Sequence, residues 1–273
     1  MRFSLITATL GRRDELVVLF ESLTAQSFKD FELILVDQNT DGRLDEIVAT
    51  FSGKFNLIHI KSSVKGLSHN RNIGLEIAQG DIVAFPDDDC YYSNDVLSKV
   101  DESFKQHKNL KLRLIKIGDP VSRQIYMYGK NDLVKRSELM RFAISFNIFL
   151  PRNCAMRFDT RLGCGAPYGS GEESDFLWEN LNHDDHGIFV NSAVYHPNGT
   201  ASYRDCSKLY SYGLGWGAIY KKEIFKRKNT SAIMQYCYGL ARSVGGIILK
   251  PEKREYYNTL KGRIKGFLSF PVK

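Results

Sequence analysis

Short apolar runs alternate with amphipathic segments along the first hundred residues. We assign strands to the runs rich in β-branched and aromatic residues, and helices to segments whose apolar side chains recur every three or four positions. The predicted strands cover residues 3–6, 31–36, 57–60 and 81–86, and the predicted helices begin at 13 or 14 and cover 44–51 and 70–79. This alternation predicts a mostly parallel, doubly wound α/β sheet with right-handed crossovers.

The second part of the chain follows a different pattern, in which polar loops rather than helices separate the apolar runs. Its predicted elements are a helix over 95–106, strands over 112–117, 124–128 and 142–150, a helix over 175–181, and short strands over 188–190 and 193–195. We therefore predict a mixed α+β half. Since no internal repeat or low-complexity linker is present, we expect one domain over 1–206 and a basic helical tail over 207–273.

Composition excludes several classes of protein. With 273 residues, 43% of them hydrophobic, the chain can bury a sizeable core, which excludes disorder and fibrous repeats. The apolar stretch near the N-terminus is too short for a secretory signal, and the best candidate membrane span, 231–249, contains Gln235, Arg242 and three glycines. Five cysteines without C-x-x-C spacing indicate reduced thiols. We therefore expect a cytoplasmic protein.

Positive charge is concentrated at the C-terminal end. The net charge is +7, but residues 221–273 alone carry +10. The same segment has an apolar stripe at helical spacing, made of Ile233, Cys237, Leu240, Ala241, Val244 and Ile248. Such a stripe more often packs on its own protein. Peripheral binding to the anionic inner face of a membrane, or binding to nucleic acid, stays open because basic residues flank the stripe.

Polar residues follow three of the predicted parallel strands. The first strand leads into Thr7-Ala8-Thr9, the second into Asp37 and the fourth into Asp87-Asp88-Asp89. Parallel strands end at one edge of a sheet, and open α/β sheets bind their ligands outside that edge. We therefore expect these residues to converge although 80 positions separate Thr9 from Asp89.

The aspartate run is the most informative of these groups. Adjacent carboxylates repel one another unless cations compensate them, and hard oxygen ligands of this kind suit Mg²⁺ or Mn²⁺ bridging phosphates. In an extended segment Asp87 and Asp89 point the same way and Asp88 the opposite way. A solvated acidic turn is the alternative, but the run directly follows a buried apolar strand, which argues against it.

Four stretches of the chain resemble the inverting, GT-A fold glycosyltransferases of family 2, bacterial enzymes that build O-antigens, capsules and other surface glycans. They are SLITATLGR (4–12), LFESLTAQSFKDFELILVDQNTDG (19–42), KGLSHNRNIGLEIAQGDIVAFPDDDC (65–90) and GSGEESDFLWENL (169–181). They occur in the family's order, and the first three carry the more specific motifs. The resemblance implies a GT-A fold with a nucleotide-binding half and a mixed α+β acceptor half.

The resemblance also implies which residues bind the nucleotide. Thr7, Ala8 and Thr9 would line the base and ribose, and Asp37 would accept a hydrogen bond from the edge of the base. Family members usually have an acidic residue or Asn directly after that aspartate. Here it is Gln38, which leaves the identity of the base open. A turn-starting role for Asp37 is the alternative.

The segment before and within the predicted helix over 70–79 matches the part of the family that contacts the nucleotide and diphosphate. The resemblance assigns this contact to Gly66, Arg71 and Asn72. A guanidinium can pair with two phosphate oxygens at once, which suits Arg71. Pairing of Arg71 with Glu76 on the same helix is the alternative.

The aspartates match the family's D-x-D motif. The resemblance places Asp87 near the ribose and makes Asp89 the direct ligand of Mn²⁺ or Mg²⁺, with Asp87 also at the metal and Asp88 in the nucleotide-sugar site. Many GT-A enzymes use a histidine from the C-terminal part of the domain as a further metal ligand, and His196 is the best placed of six. An ordinary loop histidine is the alternative.

A run of acidic residues opens the predicted helix over 175–181. Gly171-Glu172-Glu173-Ser174-Asp175 resembles the family's base motif, G-E-D-x-D, so Glu173 stands where the family has its catalytic Asp. Inverting transfer needs one carboxylate to take the proton of the acceptor hydroxyl. Glu172 and Asp175 stay open as alternative bases because Glu is one methylene longer than Asp. A capping box over residues 170–173 is the non-catalytic alternative.

A glycine-rich stretch follows the matching segments. Gly213-Leu214-Gly215-Trp216-Gly217 resembles a family segment that often forms a flexible lid or acceptor loop. Trp216 would then stack on a sugar. We favour a role in the core beneath the tail helix instead.

Taken together, the motifs imply a metal-dependent inverting glycosyltransferase that moves a sugar from a nucleoside diphosphate sugar to a glycan or lipid-linked acceptor in surface polysaccharide biosynthesis. We expect no nucleic-acid partner, because the body of the chain is acidic to neutral. A metal-dependent nucleic-acid-acting enzyme is one alternative. The other is a non-catalytic glycan-binding protein with a degenerate transferase domain, although Asp87, Asp89 and Glu173 are all retained.

Overall fold

The computed structural model describes residues 1–128, 133–182, 184–197 and 205–272. The chain divides into two compact units. The first comprises Met1–Phe158 and Phe176–Asn198, and the second comprises Asp159–Asp175 and Gly199–Lys273. The expected division into residues 1–206 and 207–273 stays a prediction.

Strands and helices alternate through the first hundred residues. They are β1 (Phe3–Thr9), α1 (Asp14–Thr24), β2 (Phe31–Asp37), α2 (Asp45–Phe51), β3 (Asn56–Lys61), α3 (Leu67–Ile77), β4 (Ile82–Ala84), β5 (Tyr91–Tyr92) and α4 (Val96–Gln106). The sequence predicted all of these elements except β5, with small differences at their ends. The helix α3 begins three residues earlier than predicted, directly after Gly66, whose φ of +130° is not helical.

The remaining elements of the first unit are shorter and less regular. They are β6 (Leu112–Gly118), β7 (Ile125–Met127), β8 (Leu133–Lys135), α5 (Leu139–Phe142), β9 (Ile148–Pro151), α6 (Glu172–Asn180), whose first turn belongs to the second unit, and β10 (His186–Tyr195). The two short strands predicted over 188–190 and 193–195 are one strand, whose pairing register shifts between Val190 and Ala193.

The strand predicted over 142–150 is wrong in its first half. The chain completes α5 and forms a 3₁₀ turn over Ser145–Asn147 before β9 begins. The Asn147 side chain explains the turn. Its Oδ1 accepts the N–H of Ile144, and its Nδ2 donates to the carbonyls of Ile115 and Phe142. The amide thus satisfies backbone groups that an extended segment would offer to a neighbouring strand.

One sheet organises the first unit. Its main path has the order β3-β2-β1-β4-β9-β6-β10-β5, with β7 paired to β6 and β8 to β10. Along the path all described strands except β9 and β5 point the same way. This confirms the predicted α/β fold with a mostly parallel central sheet. It also places the ends of β1, β2 and β4 side by side.

Both faces of the sheet are covered, which explains why its strands are continuously apolar. Alternate residues of β2 enter different clusters, Leu33 and Leu35 on one face and Ile34 and Val36 on the other. A parallel strand buried on both faces has this pattern because successive side chains point in opposite directions. At the end of β4 the ring of Phe85 meets those of Phe158 and Phe176, with centroids 5.0 and 5.4 Å away.

The second unit contains three long helices, α7 (Cys206–Phe225), α8 (Ser231–Leu249) and α9 (Lys253–Ser269). The glycine-rich stretch lies within α7, so the expected lid or acceptor loop is wrong. Its glycines instead allow close packing between α7 and α9. A Cβ on Gly217 would lie 2.1 Å from the carbonyl oxygen of Arg263, and one on Gly266 would lie 2.0 Å from that of Leu214. Trp216 stacks on Tyr236 of α8, in agreement with the favoured packing role.

The helix α8 presents a different face to the unit than the sequence suggested. Its buried residues are mostly small, namely Ala232, Tyr236, Gly239, Ser243 and Gly246. Ile233, Val244 and Ile248 of the predicted stripe are 47%, 43% and 67% exposed. The stripe therefore does not form the buried face of α8, because glycine and alanine permit a closer approach than the branched side chains do. Within the described residues, no helix has the length and apolar character needed to cross a membrane.

Gly217→Ala should destabilise the protein, whereas Gly245→Ala should not. The methyl group added at position 217 would collide with the α9 backbone, and overpacking of this kind costs roughly 1–3 kcal/mol. A Cβ on Gly245, also within a helix, meets nothing within 4 Å, and alanine is favoured over glycine there by about 1 kcal/mol. Thermal unfolding followed by circular dichroism measures both variants. Equal unfolding temperatures would contradict the close α7–α9 packing.

Candidate metal and nucleotide site

The ends of β1 and β4 are joined by two threonine hydrogen bonds. Thr7 donates its hydroxyl to the carbonyl of Pro86 at 3.0 Å, and Thr9 donates to the Asp88 carboxylate at 2.7 Å. In the adjacent strand pair Thr9 stands directly opposite Asp37. The structure therefore brings together the three groups that the sequence placed at strand ends.

Asp37 is fully buried at the end of β2 and has several partners. One carboxylate oxygen accepts from the backbone N–H and the side-chain amide of Asn39, both at 2.8 Å. The other lies 3.1 Å from Nε2 of His59. The first contact is the turn geometry offered as the alternative for Asp37. These bonds fix the orientation of the carboxylate at the sheet edge.

Gln38 connects two segments of the expected nucleotide site. Its Nε2 donates to the carbonyl of Thr9 at 3.2 Å, and its Oε1 accepts the N–H of Gly66 at 2.9 Å. An acidic side chain at this position lacks the donor needed for the first bond. The amide thus holds the end of β1 and the start of α3 in place, a role that the sequence analysis missed.

Arg71 and Asn72 lie side by side on α3 but have different surroundings. The guanidinium of Arg71, 1% exposed, pairs with Asp87 at 2.8 Å. Its expected alternative partner, Glu76, instead pairs with Arg157. The amide of Asn72 donates to the carbonyl of Phe158 and accepts its N–H, at 2.9 and 2.8 Å. Arg71 is therefore next to the D-x-D motif, whereas Asn72 anchors the backbone at residue 158.

The D-x-D carboxylates and His196 form one cluster. A single ligand atom from each of Asp87, Asp89 and His196 can be chosen so that all three lie within 4.8 Å of one another. Nε2 of His196 is 3.1 Å from Asp89, and the imidazole stacks on the ring of Phe146 with centroids 4.5 Å apart. These are the three residues that the sequence named as metal ligands.

Arg12 completes the charge balance of the cluster, and the sequence analysis did not single it out. Its Nε is 3.0 Å from Asp88 and its Nη2 is 2.8 Å from Asp89. The chain turns at Gly11, which has a φ of +82° and whose N–H donates to Asn39. The only sequence signal was the position of Arg12 at the end of the matching stretch over 4–12.

Burial and charge shift the pKa values of the cluster in different directions. Burial raises the pKa of Asp88 to about 6, although the Thr9 hydrogen bond and Arg12 oppose this shift. Burial acts in the same direction on Asp89, but the hydrogen bond and charge of His196, together with Arg12, bring its pKa below the ordinary value. Burial disfavours the charged form of His196, yet Asp89 raises the pKa of the imidazole. Asp89 and His196 thus stabilise each other's charged forms.

The acidic motif forms the first turn of α6. Helical geometry starts at Glu172, because Gly171 has a φ of +84°. Ser170 therefore lies one residue too early to cap Glu173, and its hydroxyl donates to the carbonyl of Tyr212 at 3.0 Å. The start of α6 therefore does not match the capping box over residues 170–173. Glu172 is buried and Glu173 is half-buried in the first turn of α6.

Asp175 forms buried ion pairs within the second unit. It is 2% exposed, and its two oxygens accept from Lys222 at 2.6 Å and from Arg227 at 2.7 Å. Lys222 also pairs with Asp159 at 3.0 Å. Burial raises the pKa of Asp159, but Arg161 and Lys222 together hold it well below the ordinary value. These pairs fix the start of α6 to α7.

Comparison with known proteins identifies relatives that are named as glycosyltransferases. An uncharacterized glycosyltransferase of Haemophilus influenzae is 32% identical over 39% of this chain and 36% of its own. The poly(ribitol-phosphate) β-N-acetylglucosaminyltransferase TarS of Staphylococcus aureus is 29% identical over 39% of this chain and 19% of its own. The amylovoran biosynthesis glycosyltransferase AmsB of Erwinia amylovora is 27% identical over 51% of this chain and 44% of its own. The chain thus spans less than half the length of each relative.

Solved structures share the fold over nearly the whole chain. TarS 1–349 of S. aureus in complex with UDP-GlcNAc superposes with a TM-score of 0.65 and 19% identity, covering 98% of this chain and 82% of its own. The mannosyltransferase PcManGT of Pyrobaculum calidifontis, in complex with GDP-Man and Mn²⁺, superposes with a TM-score of 0.66 and 12% identity. The match covers 97% of this chain and 86% of PcManGT. The model of the family described as glycosyl transferase family 2 matches residues 4–160. The chain belongs to glycosyl transferase family 2, as its motifs predicted, and carries a glycosyltransferase domain of the GT-A fold.

Proposed function

We propose that the protein is a metal-dependent inverting glycosyltransferase that moves a sugar from a nucleoside diphosphate sugar to a glycan or lipid-linked acceptor in bacterial surface polysaccharide biosynthesis. The observation that carries this proposal is the cluster of Asp87, Asp89 and His196 at the edge of a family 2 fold. TarS and AmsB, named for poly(ribitol-phosphate) and amylovoran, support a polymer as the acceptor.

The cluster has the ligand chemistry of a Mn²⁺ or Mg²⁺ site. Two carboxylates and an imidazole suit such ions, and their ligand atoms lie close enough together to reach one centre. PcManGT, a structural neighbour, binds Mn²⁺ together with its donor. A bound ion would stabilise the negative charge that develops on the leaving nucleoside diphosphate. Arg71, buried beside Asp87, can pair with phosphate oxygens at the same place.

The nucleotide would lie at the ends of β1 and β2. Asp37 lies at the end of β2, where Asn39 and His59 hold its carboxylate in place at the sheet edge. The side-chain amide of Gln38 connects the backbone of Thr9 to that of Gly66. We assign the donor nucleotide to these residues and their neighbours, namely Thr7, Ala8, Thr9, Asp37, Gly66, Arg71, Asp87 and Asp88. The two side-chain bonds of Asn72 to Phe158 favour a supporting role for that residue.

We assign the general base to Glu173, with Glu172 as the alternative. Both oxygens of Asp175 already accept hydrogen bonds from Lys222 and Arg227, so this carboxylate is occupied. Asp175 instead orients the first turn of α6. Glu173 stands where the family has its catalytic aspartate and is less buried than Glu172.

We further propose that the second unit binds the membrane peripherally. Several large apolar side chains of α8 and α9 are exposed, among them Met234, Tyr238, Ile248, Leu249 and Leu268. Residues 221–273 also carry a net charge of +10, which matches the negative potential of an anionic leaflet. Exposed apolar residues next to basic ones are typical of helices that lie in a membrane interface. This location suits a lipid-linked acceptor.

Asp89→Asn should abolish metal-dependent nucleotide binding. We expect one of UDP, GDP, dTDP and CMP to raise the unfolding temperature of the wild-type protein in the presence of Mn²⁺, by about 5–10 °C at a hundredfold excess over Kd. Since the variant lacks an anionic ligand, both the shift and transfer should be lost. Asp184→Asn, an exposed aspartate, is the matched control and should keep the shift. If Mn²⁺ and nucleotide raise the unfolding temperature of Asp89→Asn as much as that of the wild type, the metal assignment is wrong.

Glu173→Gln should retain donor binding and lose transfer. The amide cannot take the proton of the acceptor hydroxyl, so the rate should fall by about 10²–10⁴. Donor affinity is measured by calorimetry and transfer by release of nucleoside diphosphate. Glu172→Gln is the comparison: a loss confined to that variant would assign the base to Glu172 instead. Wild-type transfer rates in both variants would remove the acidic motif from the reaction.

Arg12→Gln should tighten the binding of Mn²⁺ in the absence of nucleotide. The guanidinium bonds to Asp88 and Asp89, and an arriving cation must compete with it. For a half-exposed ion pair we expect a gain of about fivefold. Arg13→Gln removes the same charge from an arginine whose partners are Asp14 and Glu46, and should leave the affinity unchanged. Weaker Mn²⁺ binding in Arg12→Gln would show that Arg12 is not a competitor.

A further inference from the structure

A cleft of about 430 Å³ opens among the three helices of the second unit. Trp216 and Tyr220 line it from α7, Met234, Tyr238 and Arg242 from α8, and Arg263 from α9. None of these residues belongs to the proposed metal, nucleotide or base site. The cleft therefore needs an explanation of its own.

The charges that line the cleft are all positive. Its lining contains two guanidiniums and no carboxylate, and among the described residues neither Arg242 nor Arg263 forms an ion pair. Arg263 also has its Nε buried without a hydrogen-bond partner in the part of the chain that the structure describes. Burial, and then the nearby charge of Arg242, lower the pKa of Arg263. Arg263 is half-buried and has no counter-charge among the described residues, so an anion in the cleft would stabilise its charged form.

The guanidinium of Arg263 is held in a fixed position. Its Nη1 donates to the carbonyl of Gly239 at 2.6 Å and to the hydroxyl of Ser243 at 2.9 Å. Its Cζ lies 4.3 Å from the centre of the Trp216 ring. Gly239 permits this arrangement, since a Cβ there would lie 2.5 Å from the indole. A planar guanidinium fixed in this way is prepared for an oxyanion, and phosphate suits its fork of donors.

The rim of the cleft has the opposite character. Met234 and Tyr238 are 76% and 71% exposed. They continue into the exposed apolar face of α8, which includes Val244 and Ile248. A ligand that fits both the arginines and the rim is anionic at one end and apolar at the other. Nucleotides and sugar phosphates have no such apolar part, whereas a phospholipid has both.

We propose that this cleft binds the phosphate group of a membrane lipid between Arg242 and Arg263, with Met234 and Tyr238 against the lipid chains. The proposal rests on the membrane association of the second unit and adds to it a site for one headgroup. General attraction by lysines would recognise only the charge of the surface. This cleft would instead recognise a phosphate and give each protein a defined lipid contact.

The test uses the full chain and the short-chain lipid dihexanoylphosphatidic acid below its micelle concentration. Binding is followed by tryptophan fluorescence, because Trp216 lines the cleft and is one of only two tryptophans. We expect Arg242→Gln to weaken binding about tenfold, the loss of one charge-assisted bond to phosphate. Arg254→Gln, which removes an exposed arginine of α9 outside the cleft lining, is the matched control and should bind like the wild type.

Several outcomes would overturn the proposal. They are equal weakening in both variants, no response of the wild type to the lipid, or inorganic phosphate binding as tightly as the lipid. A second arm measures sedimentation with phosphatidylcholine vesicles, with and without phosphatidic acid. If the anionic vesicles retain the wild type while Arg242→Gln and Arg254→Gln lower that retention equally, this result would overturn the headgroup site but not the membrane association. No retention of the wild type would overturn both, while the nucleotide shift with Mn²⁺ tests the transferase proposal independently.

Discussion

Three consecutive carboxylates at the end of β4 repel one another, and the arrangement of the site follows from how that repulsion is compensated. Arg71 reaches Asp87 from α3, Arg12 reaches Asp88 and Asp89 from the turn after β1, and His196 reaches Asp89 from the end of β10. Each of these three side chains comes from a different part of the chain. These contacts therefore hold the edge of the sheet together.

Local patterns were sufficient to predict the first hundred residues. The strands β1, β2 and β4 are apolar on both faces, the helices between them have one apolar face, and glycines stand where the chain turns. Once these elements were assigned, the geometry of a parallel sheet placed Thr9, Asp37 and the aspartates together. The D-x-D motif and His196 lie near the ends of strands, and the resemblance to family 2 singled them out as metal ligands.

Other features depend on partners that are distant in sequence and could not be predicted from local patterns. The turn before β9 depends on Asn147, whose amide bonds to Ile115 in another strand. Arg113, fully buried in β6, donates to the carbonyls at the end of α4, including that of His107. The face that α8 buries depends on the helices beside it, because glycine and alanine make contact there while larger apolar residues face outward. From hydrophobic periodicity alone, the larger apolar residues would form the buried face of α8.

The ion pairs of Lys222 have a consequence for how proteins of this kind can be recombined. Lys222 lies on α7, and its partners Asp159 and Asp175 lie in the segment that joins the C-terminal helices in the second unit. A chimera that exchanges only the C-terminal helices would remove both cations that pair with the buried Asp175, and would leave Asp159 with Arg161 alone. The short acidic segment and the helices must therefore be exchanged together, although more than twenty residues of the first unit separate them in the sequence.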